Sequence, residues 1–136
     1  MDPVRRETAA LLLLLAGCQL TNASAARRYL PRDADAVWTA ARAVGRAQPR
    51  WTEVEACPVR GTLAYEARSA AFGFVDDFSV EVEPDPAHEG SRIRIDSRSR
   101  VGRSDLGVNA ERIARFVDDL ELRLAASPSA VTSAAR

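Results

Sequence analysis

Two stretches decide the fold: Phe74-Val75-Asp76-Asp77-Phe78-Ser79-Val80-Glu81-Val82-Glu83 and Ser91-Arg92-Ile93-Arg94-Ile95-Asp96-Ser97-Arg98-Ser99-Arg100-Val101. Both alternate apolar and polar residues with period two, the pattern of a strand with one buried face. Pro84-Asp85-Pro86-Ala87-His88-Glu89-Gly90 between them is a loop by its proline, glycine and aspartate content. Matching apolar to apolar pairs Val82 with Ile93, Val80 with Ile95 and Phe78 with Ser97. The same register sets Glu83 opposite Arg92, Glu81 opposite Arg94 and Asp77 opposite Arg98. A slip of one residue would bury the arginines, so the register is well specified. Facing opposite charges contribute about 0.2–1 kcal/mol each. The arginine run therefore reads as a paired solvent face, and nucleic acid is not an expected partner.

Working outward, a first helix is expected from Asp33 or Asp35, either of which can cap it, to just before Pro49. Val37, Trp38, Ala41 and Val44 give it a buried stripe. Trp51 to Ala56 and Gly61 to Ser69 read as strands, with Cys57-Pro58-Val59-Arg60 as the turn between them. A final helix is expected from Asn109 to about Leu124. Its Ile113, Phe116, Val117, Leu120 and Leu124 recur at helical spacing, Asn109 is its natural N-cap, and Glu111 suits its first turn. The order helix, four strands, helix predicts an α+β fold: a two-layer sandwich, with a four-stranded antiparallel sheet covered by an N-terminal and a C-terminal helix.

The chain has 136 residues, 46% hydrophobic and 28% charged, with 19 basic residues (all arginine) against 19 acidic. That is one domain without the charge bias of a nucleic-acid binder or a disordered acidic chain. One histidine, His88, and two cysteines, Cys18 and Cys57, nearly exclude the usual zinc and histidine-dependent catalytic sets. No metal and no cofactor is expected.

The N-terminus reads as a targeting peptide. Arg5 and Arg6 form a short basic region, and Ala9 to Ala16 is apolar but far shorter than the roughly 20 residues of a membrane-spanning helix. It ends in Leu15-Ala16-Gly17-Cys18, which resembles the lipobox of bacterial lipoproteins. The resemblance implies cleavage before Cys18 and acylation of that cysteine, with the small Ala16 and Gly17 supplying the cleavage site. It also implies a membrane partner through lipidated Cys18, a domain facing the periplasm, and export to the outer membrane rather than the inner, since Gln19 is not aspartate. Residues 1–17 are then a signal peptide, 18–28 a flexible tether, 29–124 the α+β domain, and 125–136 a disordered tail. With Cys18 lipidated, Cys57 has no partner in the chain and reads as a small packed residue.

Asp76 is a misfit. It falls on the core face beside Ser97 and Ser99, where a carboxylate needs hydrogen bonds or a cation. The connection from Val101 to Asn109 carries Gly102, Arg103, Ser104, Asp105 and Gly107. Asp76, Asp77, Ser97, Ser99, Ser104, Asp105 and Asn109 are therefore expected to converge where the last strand turns into the helix. The stretches Phe72 to Asp77 and Ser97 to Asn109 resemble the bacterial family known as domain of unknown function 1499, over roughly Tyr29 to Leu124. That family has no established activity, so the resemblance carries over no catalytic role.

Three readings of the cluster follow. In the first it is structural, with Asp76 accepting hydrogen bonds from the serines and from backbone amides. In the second, Asp76, Asp105 and Asn109, with a nearby arginine, hold a small ligand or a hard cation or serve an enzyme. In the third, Arg98, Arg100 and Arg103 bind an anion near the helix start. The first is favoured, because nothing supplies a nucleophile, a cofactor motif or calcium-loop spacing. The expected function is thus a lipid-anchored cell-envelope module that binds an envelope protein, lipid or cell-wall component and has no chemistry of its own.

Overall fold

The alternating stretches pair as strands in the register expected, from Val82 opposite Ile93 through Phe78 opposite Ser97 to Asp77 opposite Arg98. The structure, a computed structural model, describes residues 23–102 and 107–127. In chain order its elements are β1 (Ala23–Leu30), α1 (Ala34–Ala47), β2 (Trp51–Cys57), β3 (Thr62–Arg68), β4 (Val75–Pro84), β5 (Ser91–Ser99) and α2 (Val108–Ala126). The strands form one antiparallel sheet in the order β1-β5-β4-β3-β2.

The sheet has five strands, not the four expected. The additional strand, β1, lies largely within the stretch read as tether. Ala23-Ser24-Ala25-Ala26-Arg27-Arg28 has neither alternation nor β-branched residues, so nothing local marks it as a strand. It forms because β5 would otherwise expose an unpaired edge, which β1 covers from Ala23 opposite Arg98 to Leu30 opposite Ser91. The α+β class and the two layers stand. Of the expected tail, Ala125 and Ala126 close α2, and residues 128–136 lie outside the described ones.

Both helices cover the same face of the sheet, α1 against β2 to β4 and α2 against β1 and β5. Asp33 caps α1, accepting from the backbone N–H groups of Asp35 and Ala36 at 2.9 and 3.3 Å. Val37, Ala41 and Val44 of α1 and Ile113, Phe116 and Leu120 of α2 enclose Leu63, Tyr65, Phe78, Val80, Ile93 and Ile95 of the sheet. Full burial of side chains of this kind contributes about 1.5–3 kcal/mol each. Trp51, at the start of β2, lies 4.5 Å from Phe78 and stacks with Phe116 at 6.2 Å, so the aromatic rings fill one end of the core.

At Gly45 the last turn of α1 presses on Tyr65. A Cβ there would lie 2.3 Å from the Tyr65 ring, whose hydroxyl donates to the Arg42 carbonyl at 3.3 Å. Alanine normally gains about 1 kcal/mol over glycine inside a helix. Here the sign reverses: Gly45→Ala is expected to lower unfolding stability by about 1–3 kcal/mol in urea titration. An unchanged or raised midpoint would show that α1 and Tyr65 are not in this contact.

Candidate functional site

The β-alternation that buries Phe78 and Val80 also turns Asp76, Ser97 and Ser99 toward the core face, where Asp76 stands opposite Ser99 and Phe78 opposite Ser97. The first turns of α2 close over them. Asn109, Arg112, Ile113 and Phe116 share one helix face at i, i+3, i+4 and i+7, so the buried stripe of α2 ends in two polar side chains.

Arg112 is the centre of the resulting network. Its Nη2 donates to Asp76 Oδ2 at 2.6 Å, and its Nη1 donates to Ser97 Oγ at 3.0 Å and Asn109 Oδ1 at 2.7 Å. Ser97 Oγ donates to Asn109 Oδ1 at 2.6 Å, and Asn109 Nδ2 donates to Ser99 Oγ at 2.9 Å. The Asp76 and Arg112 side chains are 8% and 13% exposed, which makes this a largely desolvated ion pair. Such a pair costs several kcal/mol of desolvation per ion and persists only when further hydrogen bonds satisfy it.

Asn109 does not cap α2. The N-cap is Gly107, in the left-handed conformation with φ 83°, and Asn109 is the second helical residue, fully buried. The sheet offers its amide two serine hydroxyls, and Arg112 one turn along the helix adds a third partner. Sequence reasoning missed Arg112, although a signal was present: it is the one cation on the inward face of α2, one turn from Asn109 and facing the strand with the misfit aspartate.

The expected convergence is incomplete. Asp77 alternates to the outer face of the sheet, where Arg100 bridges it and Glu66; the Arg100 Nη2 to Glu66 contact is 2.8 Å. The bond from Arg100, aided by the fields of Arg100 and Arg98, holds the Asp77 carboxyl below the ordinary carboxylate range. Arg98 is exposed on that outer face, and Arg100 is committed to the two carboxylates, so the two do not form the anion site considered above. Ion pairing on this face also departs from the facing pairs: Arg92 meets Asp85 at 2.8 Å and Arg94 meets Asp96 at 2.9 Å. Cys18, Arg103, Ser104 and Asp105 lie outside the described residues. Cys57 is free and half-buried, and among the described residues no three His, Cys, Asp or Glu side chains gather as a metal site.

The polar cluster is therefore a fastener between β4, β5 and α2. Removing one partner leaves the other charge buried and unpaired, so Arg112→Ala is expected to cost about 3–5 kcal/mol in chemical denaturation. The double change Asp76→Leu with Arg112→Met should cost less than Arg112→Ala alone. A loss within about 0.5 kcal/mol of zero for Arg112→Ala would place the pair outside the fold's support.

A second expectation concerns acid. Because the Asp77 carboxyl titrates lower in the folded chain than in the unfolded one, its contribution is complete above about pH 4 and is lost as pH falls through the folded value. Asp77→Asn should remove that part of the acid-side decline in melting temperature while leaving the neutral-pH slope alone. A decline of identical shape in the variant would contradict the pairing.

A family model described as "Protein of unknown function (DUF1499)" matches residues 19–120. Among curated proteins there is no match to this chain. Several solved structures share the fold. Protein MLL2253 from Mesorhizobium loti is 14% identical, with a TM-score of 0.59 over 78% of this chain and 98% of its own. DynU16, a protein of the dynemicin biosynthetic locus, is 15% identical, with a TM-score of 0.58 over 77% of this chain and 48% of its own. Ara h 8.0201 is 9% identical, with a TM-score of 0.55 over 76% of this chain and 97% of its own. At these identities the likeness is one of fold alone.

Proposed function

The chain belongs to the DUF1499 family, and we propose that it is a lipid-anchored module of the bacterial cell envelope that binds a partner and performs no chemistry of its own. In this reading the signal peptide ends at Gly17, acyl chains on Cys18 hold the protein on the membrane, the domain faces the periplasm, and Gln19 favours the outer membrane. The supporting observation is the position of Leu15-Ala16-Gly17-Cys18: the family match starts at residue 19, and β1 starts at Ala23. The cysteine of the lipobox-like sequence thus stands just ahead of the first strand. Each buried acyl methylene adds about 0.8 kcal/mol, so several chains on one cysteine suffice for stable attachment where a single chain does not.

The binding half of the reading rests on Arg112. Asp76 and Asn109 are already engaged with it and with the serines. A ligand, metal or substrate seated there would first have to displace an internal cation. That leaves the domain surface for an envelope protein, a lipid or a cell-wall component.

Mass spectrometry of the protein extracted from membranes is the test. The expected species lacks residues 1–17 and carries a diacylglyceryl group and a further acyl chain on Cys18, and Cys18→Ala yields neither cleavage nor acylation. A membrane-derived chain with an unmodified Cys18 thiol would defeat the anchor.

A further inference from the structure

We propose that the end of the domain nearest Cys18 docks on the phospholipid bilayer, with Phe72 and Phe74 entering the headgroup region and Arg50 and Arg68 engaging lipid phosphates. This rests on the anchored reading of Cys18 and adds a defined membrane-facing surface to it.

The sheet register gathers at one end the starts of β1, β2 and β4, the ends of β3 and β5, and the start of α2. Eight large hydrophobic side chains are exposed among the described residues, and four of them lie at this end. They are Phe72, Phe74, Val101 and Val108, at 77%, 50%, 60% and 47% exposure. The Phe72 and Phe74 rings stack on each other, centroids 5.6 Å apart, in the connection from β3 to β4 and outside the core cluster. An apolar pair presented in this way to water marks an interaction surface.

Charge separates a bilayer from an apolar protein partner. Three arginines near this end are occupied: Arg100 with Asp77 and Glu66, Arg112 with Asp76, Arg115 with Glu111. Arg50 and Arg68 have no ion pair among the described residues, and they line a cleft of about 260 Å³ together with Trp51, Phe116 and a Glu111 already paired with Arg115. Free guanidiniums beside exposed aromatic rings match the composition of a bilayer interface, where rings sit at headgroup depth and guanidiniums bind phosphate oxygens.

Chain length gives the orientation. From Cys18 to Ala23 is five residues, a reach of at most about 18 Å fully extended. An acylated Cys18 therefore keeps this end, and not the opposite end with Val59 and the Pro84 to Gly90 loop, beside the headgroups.

The experiment uses the acylated protein in vesicles of phosphatidylethanolamine and phosphatidylglycerol, with bromine on the acyl chains of the lipid. Quenching of tryptophan fluorescence is compared for the unsubstituted protein, Phe72→Trp and Val59→Trp. Docking predicts strong added quenching for Phe72→Trp and none for Val59→Trp. Equal quenching at both sites, or none at Phe72→Trp, would overturn it with the anchor intact.

If the mass shows Cys18 unmodified, the anchored reading fails separately, and the same unacylated protein is sedimented with the vesicles. Partition that weakens with salt, drops about fivefold for Arg50→Ser or for Arg68→Ser, and is lost in Phe72→Ser with Phe74→Ser would still support the surface. Absence of partition would refute it, as would a loss of Phe72-dependent pelleting in lipid alone that reappears only with envelope proteins. The substituted side chains are exposed, and an unchanged melting temperature verifies that the variants are folded.

Discussion

The ion pair between Arg112 and Asp76 is the constraint around which the rest of the molecule is arranged. It joins α2 to β4 across β5, whose Ser97 and Ser99 complete the coordination through Asn109. Removing two charges from water is unfavourable, so the pair exists only where helix and strands meet in one relative position. The other helix is fixed by a similar device in a wetter setting: Arg42 of α1 donates from Nε and Nη2 to the two oxygens of Glu53 on β2, at 3.0 and 2.8 Å. That bond holds the Glu53 carboxyl below its usual range. At the far end, Arg32 donates to the Leu124 carbonyl at 3.0 Å and ties the close of α2 to the link between β1 and α1.

Between these polar fasteners the interior is filled. Trp51, Tyr65, Phe78 and Phe116 meet in tilted and stacked pairs directly below the Arg112 network. The hydroxyl of Tyr65 donates to the Arg42 carbonyl, and burial pushes its pKa up to about 12.

What the sequence made legible follows from the strength of the local signal. The pairing of β4 with β5 could be read residue by residue, because strict alternation with arginines on one face leaves a single register. The stripe from Ile113 to Leu124 gave α2 in the same way. β1 could not be read, since an alanine- and serine-rich edge strand is specified by the strand it pairs with and not by its own composition. Asp76 was identifiable as a residue needing a partner. Its partner was not, because an arginine on a helix is usually solvated and only the three-dimensional arrangement turns Arg112 inward. Asn109 looked like a cap for the same reason: its preference for helix starts is local, while the two serines it meets lie about a dozen residues away in the chain.

The outer edge of β2 has a further consequence. Register slips between Glu53 and Glu55, so Val54 is an extra residue, 62% exposed, in a strand that otherwise offers a free row of backbone donors and acceptors. Acidic side chains stand on both sides of it, Glu53 held by Arg42 and Glu55 by Arg60. An incoming strand would meet a bent ladder and two ion pairs in place of a flat template. That irregularity works against the sheet growing from one molecule into the next.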